Sequence, residues 1–406
     1  MNQKEFMTEK DMKRFSKAND SESKTFLSKH LQRKKDVGYK INDSFLLIGE
    51  KEETSKNFVI PNMKEHNSSY VIIDPEGEIY KQMKDDLDGY TVKCMDLSTG
   101  MNDDTMVNYD PFHYTKTEAE VIDCINHIVK NKGENKFFTD AKKIFLAACI
   151  FHFMENYDKL SFYTLRKFVH DFTGNEFEED DQGKLATKYY NAFLNIAREE
   201  TRKAIVNDCD SYLLPYTYIG REKDESKFTE MMDERIALFI IPPKKNWEVE
   251  NNVIGLLLQQ VCDIQEERMI SFYQNKAPKP KYGVNCIMMD VKHCRGFDFP
   301  RYSSFMCKYG VDFTVSVSTV SQLEDAYDDW WTTIVANLHT WIFYNSYAKS
   351  TLRFISEKIG YSTDFQSKCF LLTPDKLEDL AERKKCVVLQ WKQKPAIDDL
   401  LTANIE

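Results

Sequence analysis

Two groups of residues in this sequence have the types and spacing that acid–base chemistry uses. Asp74 and Glu78 stand four residues apart beyond the apolar run Tyr70-Val71-Ile72-Ile73, and Asp290 follows Ile287-Met288-Met289 with Lys292 and His293 close behind. A carboxylate pair can divide the roles of acid and base, and a carboxylate beside a histidine can hold its proton in place. Each group also has a plainer use. Asp74 ends a strand-like run and Glu78 opens a helix, where a carboxylate favours the positive end of the dipole. Asp290 has no nucleophile or metal partner to work with, so it too is expected to be structural. The eight histidines and ten cysteines are not set at metal-ligand spacing and include no Cys-x-x-Cys pair, so no metal site is expected. Trp330-Trp331, after Asp328-Asp329, is a different kind of candidate. Successive helical residues point about 100° apart, so both indoles cannot face one core. One buried and one half-buried ring is the ordinary outcome; the pair is also a candidate partner contact, because Trp is enriched at interface hot spots.

The elements that must position these residues follow from periodicity. Phe45-Leu46-Leu47-Ile48, Tyr70 to Ile73 and Val92 to Met95 are short apolar runs separated by charged, helix-compatible segments. A parallel sheet with crossover helices requires that alternation. Val121, Cys124, Ile125, Ile128 and Val129 form one helical stripe, residues 137–154 are apolar nearly all round, and about 156–233 shows only helical periodicity. The acidic run Glu176 to Asp181 interrupts it as a solvated loop. Strands resume at Ile236 to Ile241, closed by Pro242-Pro243, then at Val284 to Met289, Phe313 to Val317, Trp341 to Tyr344 and Cys386 to Trp391. The expected organisation is a charged N-terminal extension at 1–40 with one helix, a first sheet segment at 41–154, an all-α insertion at 155–232 and a second sheet segment at 233–406. The basic stretch Lys24 to Lys40 is expected to be a solvated tether.

The ordered set of short segments resembles the TraG-like type IV secretion coupling proteins, the conjugative DNA-transfer ATPases, in their Gram-positive branch. The resemblance is carried by Phe45 to Ile48 with Gly49, Pro61-Asn62, Asp74-Pro75-Glu76-Gly77-Glu78, Asp110-Pro111-Phe112 and Lys136-Phe137-Phe138. Further on it is carried by Ile236 to Pro242, Ile287 to Asp290, Phe354 to Gly360 and Leu371 to Leu377. It implies an α/β fold: a RecA-like, P-loop NTPase-type, mostly parallel sheet flanked by helices, with an inserted all-α domain. Active members of that family form membrane-anchored hexamers that hydrolyse ATP and bring a relaxase–DNA cargo to the secretion channel.

Set against the family pattern, the nucleotide-binding residues are altered. A phosphate loop reads G-x-x-x-x-G-K-[ST], with glycines for close backbone approach, a lysine for charge and a hydroxyl for magnesium. Here the segment reads Gly49-Glu50-Lys51-Glu52-Glu53-Thr54-Ser55-Lys56, one residue short when counted back from Pro61-Asn62. Thr54 falls at the lysine position and Ser55 at the hydroxyl. One carboxylate about 5.5 Å from a phosphate charge costs roughly 3 kcal/mol at an effective dielectric of 20, so Glu50, Glu52 and Glu53 all work against a polyanion. The Asp-Glu pair of the family reads Asp290-Val291, and a valine cannot polarise a water. The family glutamine falls at Ser318, the G-G-x-D segment reads Asn345-Ser346-Tyr347-Ala348, and the lysine of D-P-K-G-E is Glu76.

The expectation is therefore a catalytically silent pseudo-ATPase with a degenerate phosphate loop and Walker B segment. It needs no cofactor and acts as an adaptor or cargo recruiter in conjugative type IV secretion. Its expected partners are secretion proteins, an intact coupling ATPase paralogue and a relaxase, with no stable homohexamer. The alternative is an active DNA-transfer ATPase using ATP and Mg²⁺, with Lys56 displaced into the phosphate role. The net charge of −10 weakens any case for broad DNA binding. No window approaches about 18 uncharged apolar residues, so no membrane span is expected. The scattered cysteines fit a reducing, cytoplasmic compartment.

Overall fold

The computed structural model describes residues 6–21, 23–35, 42–98, 107–130, 135–177, 184–196, 198–244, 248–361 and 369–401. The chain divides into two compact units. One takes Met1–Cys94, Lys227–Pro242 and Val261–Glu406, and the other takes Met95–Ser226 and Pro243–Gln260.

Eleven strands are described: β1 Lys24–Phe26, β2 Gln32–Lys34, β3 Phe45–Ile48, β4 Ser68–Ile73, β5 Thr91–Asp96, β6 Ile236–Ile241, β7 Gly283–Met288, β8 Val311–Val317, β9 Thr340–Phe343, β10 Lys385–Gln390 and β11 Ala396–Asp399. Nine of them form one sheet in the order β11-β10-β9-β3-β8-β7-β4-β6-β5. From β9 to β6 every pairing is parallel, with Leu46 opposite both Val315 and Trp341, and Ile72 opposite both Phe239 and Ile287. β10 runs antiparallel to β9 and to β11. The central strands β3, β4 and β8 are buried at every residue, as strands covered on both faces must be. This is the mostly parallel α/β sheet expected from the alternating pattern.

The N-terminal extension does not behave as the solvated tether expected for Lys24 to Lys40. Its helix Glu9–Ala18 and the β1–β2 hairpin bring Met12, Leu27 and Leu31 into the same core as Phe45, Phe58 and Tyr344. Lys35 is buried, its Nζ 3.1 Å from Asp43 Oδ2 and 3.2 Å from Asp312 Oδ2, while Arg33 lies 3.6 Å from Asp43 Oδ1. Burial disfavours the Lys35 charge, but the two carboxylates outweigh it and hold the amine above its ordinary range. A run of basic residues reads as a solvated face only while its acidic partners, here Asp43 and Asp312, are out of view. Residues 36–40 lie outside the described residues.

The helical unit starts earlier than 155. It takes in helices Glu118–Ile128 and Lys136–Asn156 together with Phe162–His170, Leu185–Ile196 and Glu199–Leu213. Thr117 and Glu120 cap the first reciprocally, at 2.8 Å and 3.3 Å. Its core is largely aromatic: Phe145, Phe168, Phe172, Phe177, Tyr190 and Phe193 meet at 4.2–6.4 Å between ring centres. Of the acidic run Glu176 to Asp181, only Glu176 is a described acidic residue, and it accepts from the backbone of Thr173 and Gly174.

Candidate functional site

In an open parallel sheet the crevice for a ligand lies beyond the carboxyl ends of the strands. Here β3, β4 and β7 end at Ile48, Ile73 and Met288. Beyond them lies a cavity of about 320 Å³ lined by Lys51, Glu52, Ser55, Lys56, Asp74 and Glu76, with Glu78 and Met289 also on its wall.

The segment after β3 is not an open loop. Gly49 N–H donates to Val317 O at 2.9 Å, and Glu50 N–H donates to Asn345 Oδ1 at 3.2 Å. Helix starts directly at Lys51 and runs Lys51–Thr54, then through a π-helical turn Ser55–Val59 into Ile60–Met63. The extra residue in that turn has a local cause. Asn57 Nδ2 donates to Glu53 O at 2.8 Å, Ile60 N–H reaches back five residues to Ser55 O, and Pro61 has no N–H to return the ladder to its usual step. Asn62 then bonds both ways with the Phe26 backbone, at 2.7 and 3.0 Å, fixing β1 against this helix.

Both lysines of the segment are paired. Lys51 Nζ lies 3.1 Å from Asp290 Oδ2, and Lys292 Nζ lies 2.9 Å from the same oxygen. Lys56 Nζ lies 2.6 Å from Glu52 Oε1. Burial acts to raise the Asp290 pKa, but the Lys292 hydrogen bond and the Lys51 charge outweigh it and hold the carboxyl below its usual range. Its Oδ1 also accepts from Lys292 N–H, capping the turn Val291–Cys294. Val291 is buried, and burial pushes the His293 imidazole down to about 4, so the ring is neutral at pH 7. The acid–base pairing of Asp290 and His293 is thereby an ionised carboxylate beside a neutral ring.

The remaining candidates separate. Thr54 faces the sheet, its Oγ1 2.8 Å from Ser316 Oγ on β8. Of the three glutamates in the segment only Glu52 lines the cavity. Glu53 turns away toward Gly49 and Asn345, where burial and then the Glu50 charge push its pKa up against the Asn345 hydrogen bond. Glu50 is exposed. Asp74, Glu76 and Glu78 supply most of the acidity instead, a role hidden in a sequence that sets them far from Glu52. Asp74 is buried and accepts from Tyr80 N–H at 2.9 Å, and Gly77 makes the turn at φ 67°, so the Asp74–Glu78 pair caps a helix. A Cβ on Gly77 would stand 2.9 Å from the Ile241 side chain, so only glycine fits that turn. Asn345 and Ser346, at the position of the family's glycine pair, hold the backbone: Ser346 Oγ donates to Ser318 O at 3.0 Å. Trp330 and Trp331 lie away from this cavity; Trp330 is exposed and Trp331 half-buried against Phe354. Among the described residues no group of three His, Cys, Asp or Glu is placed to hold a metal ion, and no helix is long and apolar enough to cross a membrane.

Comparison with known proteins places this geometry. Over its whole length the chain is similar in fold to the plasmid coupling protein TrwB in complex with the ATP analogue ADPNP, at 12% identity and TM-score 0.73, covering 94% of that chain. It is similarly related to the conjugative coupling protein TrwBdeltaN70 in complex with sulphate, at 11% identity and TM-score 0.71, covering 100% of this chain and 96% of that one. VirB4 of Thermoanaerobacter pseudethanolicus gives a TM-score of 0.54 at 12% identity, over 95% of this chain and 98% of that one. These likenesses establish the RecA-like fold. No curated protein sequence matches. The sequence model described as type IV secretory system conjugative DNA transfer matches residues 53–370. That span covers well over half of the chain, and the protein belongs to the type IV secretory system conjugative DNA-transfer family, the family of the coupling proteins.

Proposed function

We propose that this chain is a coupling-protein subunit that neither binds ATP productively nor hydrolyses it, and that it serves conjugative secretion by binding other components. The observation that carries this is the clamp of Lys51 and Lys292 on Asp290. Two ammonium groups neutralise the one carboxylate that a magnesium–phosphate group would need, and the loop's other lysine is paired with Glu52. A triphosphate entering the cavity would meet Asp74 and Glu76 beside the Glu52–Lys56 and Glu78–Lys81 pairs, with no lysine of the phosphate segment left unpaired. Val291 then leaves no group to orient an attacking water. ATP and Mg²⁺ do not fit this residue set.

TrwB is seen in complex with ADP and Mg²⁺, and with ADPNP, on a similar fold. Loss of turnover leaves the scaffold and the helical unit as binding surfaces. We assign cargo or adaptor recognition to the helical unit by its family resemblance, with a relaxase and an intact coupling ATPase as the partners, on the cytoplasmic side. A subunit without nucleotide also lacks that ligand's contribution to a ring joint, so it forms no stable closed hexamer by itself. The active-ATPase alternative requires Lys56 to leave Glu52 and a base to replace Val291. Steady-state ATP hydrolysis, with and without single-stranded DNA, tests the proposal. No rate above that of Asp290→Ala is expected, and a rate that Asp290→Ala abolishes would overturn it.

A further inference from the structure

At the end of the sheet opposite Asp290, the sheet unit carries a run of aromatic rings and lysines. Phe354 packs on Trp331 at 5.8 Å and stacks on Trp341 at 5.7 Å, with the Lys358 ammonium 5.5 Å from the Trp341 ring. Beside Trp341 is a cavity of about 510 Å³ that Trp391 and His339 also line. Those two rings stack at 5.1 Å, and Lys392 Nζ lies 4.0 Å over the Trp391 ring. Trp391 is 64% exposed. Among the described residues neither Lys358 nor Lys392 is in an ion pair.

A second feature of the same unit has the opposite charge. Helix Ser321–Tyr327 stops at Asp328, whose φ of 45° and ψ of −138° strain a residue that carries a Cβ. The turn that follows, Asp328–Trp330, has no buried residue, and Trp330 is 65% exposed. Glu324, Asp325, Asp328 and Asp329 are all exposed. Helix Trp331–Asn337 starts at this turn, and its Val335 and Ala336 line the cavity. Acidic turn and basic cavity are therefore neighbouring parts of one patch.

We propose that a second copy of this chain is the partner of that patch, Trp330 of each copy entering the Trp341–Trp391 cavity of the other. Asp328 and Asp329 then meet Lys358 and Lys392. A chain of net charge −10 repels its own copies, and a local pair of uncompensated lysines facing acids is where that repulsion reverses. Because turn and cavity share one patch, a two-fold axis satisfies both at once and the assembly closes as a dimer. Single-stranded nucleic acid needs a continuous track of cations beside its stacking rings, and two lysines do not make one. This pairing does not depend on the fate of ATP.

Sedimentation velocity on the full chain, from about 1 to 100 µM, tests it. The expected result is a reversible dimer that weakens as salt rises. Trp330→Ala, and separately Lys358→Glu with Lys392→Glu, should each weaken it at least about tenfold. Adding Asp328→Lys and Asp329→Lys to the double lysine variant should restore it. Circular dichroism on each variant confirms that the fold persists. A chain monomeric at every concentration overturns the proposal, as does association that Trp330→Ala leaves unmoved or that the fourfold exchange fails to restore in a folded protein. A monomer that captures an oligothymidylate through Lys358 and Lys392 overturns it in favour of nucleic acid.

Discussion

Lys35 is held between two carboxylates with almost no access to water. Removing Lys35 leaves the buried Asp312 without its cation and Asp43 with Arg33 alone, at a cost of about 3–5 kcal/mol. Lys35→Met should lower stability by that amount in denaturant titration; a loss under about 1 kcal/mol would mean that water reaches Asp43 and Asp312. In the helical unit Asp110 has the opposite problem. Burial pushes its carboxyl up to about 6, the nearby Asp224 adds to that, and the Phe112 N–H works against both. A carboxyl whose folded pKa lies above its unfolded value of 3.8 binds more protons when folded, so its ionisation removes stability as pH rises from about 4 to about 6. Asp110→Asn keeps an oxygen for Phe112 N–H and should gain about 1–2 kcal/mol at pH 7, discounted for its partial exposure. Thermal melts across that window should show the variant losing the decline of the parent; a parallel shift at every pH would contradict the assignment. At this scale the sequence made some things legible. Val291 and Thr54 are visible as departures at fixed places in a motif. The Lys51–Asp290 pair is not, because the two residues lie 239 positions apart and nothing local to either announces the other.

Among the elements, the helix Lys51–Met63 does the most to set the site, and its course depends on Asn62. Losing that side chain removes two bonds to the Phe26 backbone and one to Phe58 O. Asn62→Ala should cost about 2–3 kcal/mol through the stranded backbone groups, and amide hydrogen exchange should report faster opening in β1 and β2 than in β4. Uniform exchange in the variant would show that the hairpin does not depend on this clamp. The central strands were legible because burial on both faces demands runs such as Phe45 to Ile48 and Tyr70 to Ile73. β11 was not, since Ala396–Asp399 carries two aspartates. Asp398 holds its buried place through Ser28 Oγ at 2.7 Å, His30 N–H at 2.8 Å and His30 Nδ1 at 2.7 Å, from residues far away in sequence. The π-helical turn is not legible in the sequence, because it arises from the joint effect of Asn57 and Pro61 and not from any propensity of the segment.

For the whole molecule, the central claim is that a fold shared with nucleotide-binding proteins holds a cavity whose charges exclude nucleotide. Parallel topology and crossover helices were readable from alternation alone. The reach of the helical unit back to Met95 was not, because a helix such as Glu118–Ile128 shows the same periodicity whichever unit it joins. The acidity of the cavity lay partly hidden as well, since Glu52 and Glu76 come together only through the pairing of β3, β7, β8 and β4. Calorimetric titration of the purified chain with ATP and with ADPNP, each with Mg²⁺, measures this claim most directly. Heats no greater than dilution are expected up to nucleotide concentrations on the order of 1 mM, corresponding to binding no stronger than about −4 kcal/mol. A saturable isotherm with a micromolar dissociation constant, lost on Asp290→Ala, would contradict it.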